Sequence, residues 1–145
     1  MRRHCIVAAV ATLAIAQLAL VDGALAESLT FKATLVGTDE VPPTDSPAKG
    51  NAMVSYDTDS KRLVWSVTYS GLTGPATAAH FHGPAEPGAA AGVVVPVPTE
   101  AIPMEGSATL TDAQAKDLIA GRWYVNVHTA KFKDGEIRGQ VLKEK

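Results

Sequence analysis

The sequence predicts an all-β fold: an antiparallel β-sandwich of seven or eight short strands, Greek-key-like, with one short helix near residues 112–120. Three observations carry that expectation. Short stretches alternate apolar and polar residues with a period of two, the pattern of strands with one buried face. Clusters rich in glycine, proline and aspartate separate these stretches. A helix signature stands out once: Thr111-Asp112-Ala113-Gln114 fits a capping box, and Gly121 is placed to end the helix after about three turns.

Leu29 to Leu35 opens the domain as a strictly alternating strand. Gly37 to Gly50 carries Pro42, Pro43 and Pro47 together with Asp39, Glu40 and Asp45, and reads as a long solvated surface loop. Those acids lack the oxygen-ligand spacing of a calcium loop. Asn51 to Tyr56 is a second strand. The turn residues 57–61 join it, as a hairpin, to a third that places Leu63, Trp65, Val67 and Tyr69 on one face. After a loop at Gly71 to Pro75 comes the strand holding His80 and His82, then a flexible excursion, 83–92, of glycine, proline and alanine. Val93 to Val97 is β-branched and interrupted by proline, which suits an edge strand, and Glu105 to Leu110 is a weaker strand candidate.

Beyond the helix, Trp123 to His128 resumes the alternation, with Trp123, Val125 and Val127 on the apolar face and Tyr124, Asn126 and His128 on the polar one. Asp134-Gly135 signals a tight turn, and Glu136 to Leu142 forms the last strand. Trp65 and Trp123 fall on apolar faces and belong to the core. Met53 and Met104 read as core gap-fillers.

The first 26 residues do not belong to this fold. Arg2 and Arg3, an apolar run from Ile6 to Val21 and the Ala24-Leu25-Ala26 site read as a signal peptide cleaved before Glu27, which implies a periplasmic or secreted protein. The run is too short for a membrane anchor. Residues 27–145 then form one domain with 11 basic and 14 acidic side chains, because Arg2, Arg3 and Asp22 leave with the leader. A net charge of −3 gives no basis for a nucleic-acid or anionic-membrane partner. Cys5 is the sole cysteine, so the exported domain lacks both disulfides and thiolate ligands.

Four histidines occur in the chain, and His4 lies in the leader. The other three can serve one site. In a strand, His80 and His82 share a face opposite Phe81. His128 likewise lies opposite the core-forming residues of its own strand. Three imidazoles from two strands, which meet on one outer surface if those strands are neighbours, suit a borderline transition metal: copper in either oxidation state, or zinc. Glu86, in the loop after His82, is a candidate to orient an imidazole. Arg138 is a candidate anion-attracting charge near the histidines, the plainer reading being a surface pair with Glu136. No G-x-S-x-G motif and no catalytic carboxylate pair are evident.

Six motifs in order resemble the CHRD domain, the repeated module of chordin. They are Phe31 to Leu35, Asp39-Glu40-Val41-Pro42-Pro43, Tyr69-Ser70-Gly71-Leu72-Thr73, Ala79-His80-Phe81-His82-Gly83-Pro84, Gly121 to Thr129, and Gly135-Glu136-Ile137-Arg138-Gly139. The resemblance implies an antiparallel β-sandwich. The H-x-H strand, the later strand ending in histidine and the G-x-x-R segment are also similar to the copper side of Cu/Zn superoxide dismutase. By that similarity His80, His82 and His128 would be ligands and Arg138 an anion guide. A bridging fourth histidine, a zinc loop and a cysteine pair are missing. The leading expectation is therefore an exported copper-binding domain for sequestration, delivery or tolerance of the metal. A metal-free adhesion or protein-interaction module is the alternative, and a dismutase-like enzyme comes third.

Overall fold

The computed structural model describes residues 27–145, so the segment read as a signal peptide lies outside the described residues. Eight strands and one helix follow in order: β1 (Ser28–Val36), β2 (Lys49–Asp57), β3 (Arg62–Ser70), β4 (Ala76–His82), β5 (Val93–Val97), β6 (Met104–Thr109), α1 (Asp112–Ile119), β7 (Trp123–Thr129) and β8 (Ile137–Lys143). All pairings are antiparallel, and the strands form one sheet in the order β5-β4-β7-β8-β1-β2-β3-β6. The sheet curls until its edges, β5 and β6, touch. Trp65 of β3 meets Phe81 of β4 edge-on at 5.4 Å, although the two strands stand far apart in the strand order. Only a sheet folded face to face across one core permits that contact.

Alternation explains which side chains enter the core. Leu29, Phe31, Ala33 and Leu35 of β1, Ala52, Val54 and Tyr56 of β2, and Leu63, Trp65 and Val67 of β3 all point inward and are buried. Met104 is buried as expected, whereas Met53 lies on the outer face of β2 at 45% exposure, because it falls out of phase with the core residues of its strand. Helix α1 carries the anticipated capping box, with Thr111 Oγ1 accepting from the Gln114 amide and Gln114 Oε1 accepting from the Thr111 amide. Its buried face consists of Ala115 and Leu118.

The central strand β7 departs from a one-sided pattern, since residues 123–127 are all buried. Its outer face is covered by two segments that alternation alone treats as solvated. Residues 37–48 begin with a 3-10 turn, Gly37–Asp39, and are tied to the residue just before β8, where Thr44 Oγ1 donates to the Glu136 carbonyl and Ser46 Oγ to the Glu136 carboxylate. The 83–92 excursion is likewise pinned. Arg138 donates to the Ala89 carbonyl at 2.7 Å, Gln140 to the Ala85 carbonyl at 2.8 Å, and the Tyr124 hydroxyl meets the Ala91 backbone. These bonds hold the loop against β7 and β8, in place of the free excursion its composition suggests.

Candidate metal centre

β4 and β7 are adjacent and antiparallel, with Ala78 opposite His128, His80 opposite Asn126 and His82 opposite Tyr124. Alternation turns all five of His80, His82, Tyr124, Asn126 and His128 away from Phe81 and Val127, onto the outer face. Diagonal neighbours on one sheet face lie within reach of ring side chains. His80 is accordingly 5.1 Å from His128 and 5.5 Å from His82, ring centre to ring centre.

One ligating atom from each histidine lies within 4.8 Å of the others. His80 Nδ1 and His128 Nε2 are 3.2 Å apart. Bonds of about 2.1 Å to a shared ion would subtend about 100° across that gap. Two donors on opposite sides of such an ion stand about 4.2 Å apart, so the widest separation needs only a small closure. The residues fit a first-row ion.

Backbone carbonyls fix two of the rings. His82 Nδ1 donates to the Ala91 carbonyl at 3.0 Å, and His128 Nδ1 donates to the Lys133 carbonyl at 2.8 Å. A carbonyl can only accept, so each neutral ring carries its proton on Nδ1 and turns a bare Nε2 inward. Burial lowers the pKa of both His80 and His82. The facing His128 and His82 lower His80 further. For His82, burial outweighs the bonds to Ala91 and Asn126, which favour its charged form. Both are therefore neutral at pH 7, the form that ligates metal.

The His82 ring stacks on Tyr124 at 4.7 Å with planes 3° apart, and the Arg138 guanidinium sits 3.4 Å from the centre of the same phenol ring. Two groups that close need opposite faces of the ring, so Tyr124 is sandwiched between them. Arg138 is 2% exposed. Its guanidinium holds the loop that supplies the Ala91 carbonyl, and what little of the residue is exposed lines a cleft shared with Glu40, Pro87 and Gln140. Glu86 is exposed in that loop, and no hydrogen bond links it to an imidazole.

Three participants stand out only in the structure. Asn126, 3% exposed, places Oδ1 3.0 Å from both His82 Nε2 and His128 Nε2. Tyr124 buttresses His82. Glu40, which the sequence places in a solvated loop, is 4% exposed beside the Asn126 amide. Burial raises its pKa, opposed by the Val41 amide, Asn126 and the Arg138 charge. The sequence did hold a signal for Asn126: an amide in mid-strand, a poor strand former, in phase with His128.

Fold and site together define a small all-β protein with a histidine-bearing sheet face under two loops. The CHRD domain family model matches residues 31–141, and the chain belongs to that family. Neither a curated protein nor a solved structure matches it.

Proposed function

We propose that this protein is an exported copper-binding β-domain in which His80, His82 and His128 hold one ion, for sequestration, delivery or tolerance of the metal. The observation that carries this reading is the convergence of the three ligating nitrogens within 4.8 Å. Zinc is the other ion that such a ligand set accepts. Export rests on the basic start, apolar run and A-x-A site of residues 1–26. The burial of Arg138 beneath the 83–92 loop favours holding an ion over dismutase-like turnover of an anion, which needs an exposed guiding charge.

Titration of the purified protein with copper(II), copper(I) and zinc(II) against competing chelators tests the proposal, with electron paramagnetic resonance on the copper(II) form. The expected result is one tight equivalent with nitrogen hyperfine couplings. Disturbing the groups behind a metal ligand costs about 10–100-fold in affinity, so His82→Ala and His128→Ala should each lose about 100-fold or more. Unchanged affinity in those variants, with folding intact, would overturn the site. Only weak, unspecific binding by the unsubstituted protein would favour the metal-free interaction module.

A further inference from the structure

We infer that Asn126 is a fourth donor at this centre, through its side-chain oxygen, and that Glu40 is the residue that positions it. The inference rests on the three-histidine reading and deepens it: the site becomes three nitrogens and one oxygen, a set built for a divalent ion.

The hydrogen-bond chemistry carries the argument. The Ala91 and Lys133 carbonyls can only accept, so the Nδ1 protons of His82 and His128 are committed to them. Each Nε2 then presents a lone pair. Asn126 Oδ1, also an acceptor, stands 3.0 Å from both nitrogens with no proton to share with either. His80 Nδ1, 3.2 Å from His128 Nε2, can give that nitrogen a proton. Asn126 Oδ1 and His82 Nε2, both buried, still face each other as acceptors and repel unless a cation lies between them. The spacing fits that cation, because adjacent donors at about 2.1 Å from an ion and about 90° apart are about 3.0 Å from each other.

Turning the amide over would give both nitrogens a donor, and Glu40 opposes it. The Asn126 amide nitrogen and Glu40 Oε1 both lie under Gly135, where a Cβ would stand 2.8 Å from Nδ2 and collide with Oε1. A carboxylate accepts only, so it holds the Nδ2 side toward itself and the oxygen toward the imidazoles. Gly135, at φ 132°, leaves room for this arrangement. Glu40 Oε1 is buried without a hydrogen-bond partner, and the Asn126 amide is the polar group beside it. Its position is accounted for by the amide it faces.

An amide oxygen is a hard donor, which supports copper(II) and zinc(II) and adds little for copper(I). The test compares Asn126→Leu, close to Asn in size but without a donor, with His82→Ala and the unsubstituted protein, in chelator-competed titrations of copper(II) and copper(I). Asn126→Leu should lose about 10-fold or more for copper(II), change its electron paramagnetic resonance parameters, and keep its copper(I) affinity within about threefold. Glu40→Gln, free to let the amide turn, should give two overlapping copper(II) spectra and a smaller loss. Combining it with Asn126→Leu should add no further loss.

Wild-type copper(II) affinity in Asn126→Leu, with binding abolished in His82→Ala, would remove Asn126 and leave the histidine site standing. Equal losses for both oxidation states would mark Asn126 as scaffold and overturn the inference as well. No tight binding by the unsubstituted protein would end both readings. Should Asn126→Leu fail to fold, the unsubstituted protein answers by nuclear magnetic resonance: zinc(II) should shift the Asn126 side-chain carbonyl carbon, and an unmoved signal would overturn the assignment.

Discussion

Glu136 has no exposed surface, yet its carboxylate gathers three segments of chain. Ser46 Oγ donates to it at 2.7 Å, Thr129 Oγ1 at 2.6 Å, and Thr73 through both its amide at 2.9 Å and its hydroxyl at 2.8 Å. Burial alone would raise its pKa, but the bonds from Thr129, Ser46 and Thr73 prevail and hold it below the ordinary carboxylate value. A carboxyl lowered in the folded state is bound by more protons when unfolded, so stability falls as pH drops below about 4.5 through the folded value. Glu136→Gln keeps the shape, loses the charge and brings its own donors among the hydroxyls; hydrogen bonds to charged groups are worth about 1.5–3 kcal/mol, and a loss of about 2 kcal/mol is expected. Urea denaturation at pH 7 and pH 4 checks this: the variant should be the less stable at pH 7 and the gap should narrow at pH 4. An unchanged gap would show that the charge does not matter. Alternation did place Glu136 in the last strand with Arg138, and a surface pair was the plainest reading of the two. What made both buried is the arrival of Ser46, Thr73 and Ala89 from distant segments, which no local pattern encodes. Glu40 was misplaced for the same reason.

Single elements were legible because their causes are local. The capping box of α1 is formed by residues three apart, and the structure contains both of its hydrogen bonds. Thr111→Ala removes one acceptor for a helix amide, and the expected cost is about 1 kcal/mol in chemical denaturation, the typical value for a lost cap. No measurable change would mean that Ala115 and Leu118 packing alone holds the helix. The seam between β1 and β8 obeys a different rule. Phe31 pairs with Lys143, Lys32 with Leu142 and Val36 with Arg138, and between those pairs Gly139 lies against the backbone of Thr34. A Cβ there would collide with the Thr34 carbonyl oxygen and stand 2.7 Å from its carbon, so the strands must part because no flexible side chain can yield. Gly139→Ala should destabilise by about 3 kcal/mol, the upper range for overpacking, while Gly74→Ala, with nothing within 4 Å of the added carbon, should stay within about 0.5 kcal/mol. Equal effects at the two glycines would sink the close-approach account.

At the scale of the molecule, sequence patterns supplied strands, phases and a common histidine face, but not the strand order. The hairpin β2–β3 follows from a four-residue turn, 58–61; the pairings β4–β7, β3–β6 and β1–β8 join segments separated by long stretches of chain. The proposed metal centre depends on one of these non-local pairings, because His80 and His82 come from β4 while Asn126 and His128 come from β7. An ion held by both strands binds the folded chain, and the unfolded chain cannot present the same donors together. Binding must then raise stability by mass action, by about 2.7 kcal/mol at a free metal concentration 100 times Kd. For a domain of this size that amounts to a rise of about 10 °C in melting temperature. Differential scanning calorimetry with and without buffered copper(II) or zinc(II) should show the shift, growing with the logarithm of free metal and absent in His82→Ala. Tight binding without such a shift would mean that the ion is held equally by the unfolded chain. The histidines would then be acting as separate ligands on a strand, and the centre across β4 and β7 would not be the site.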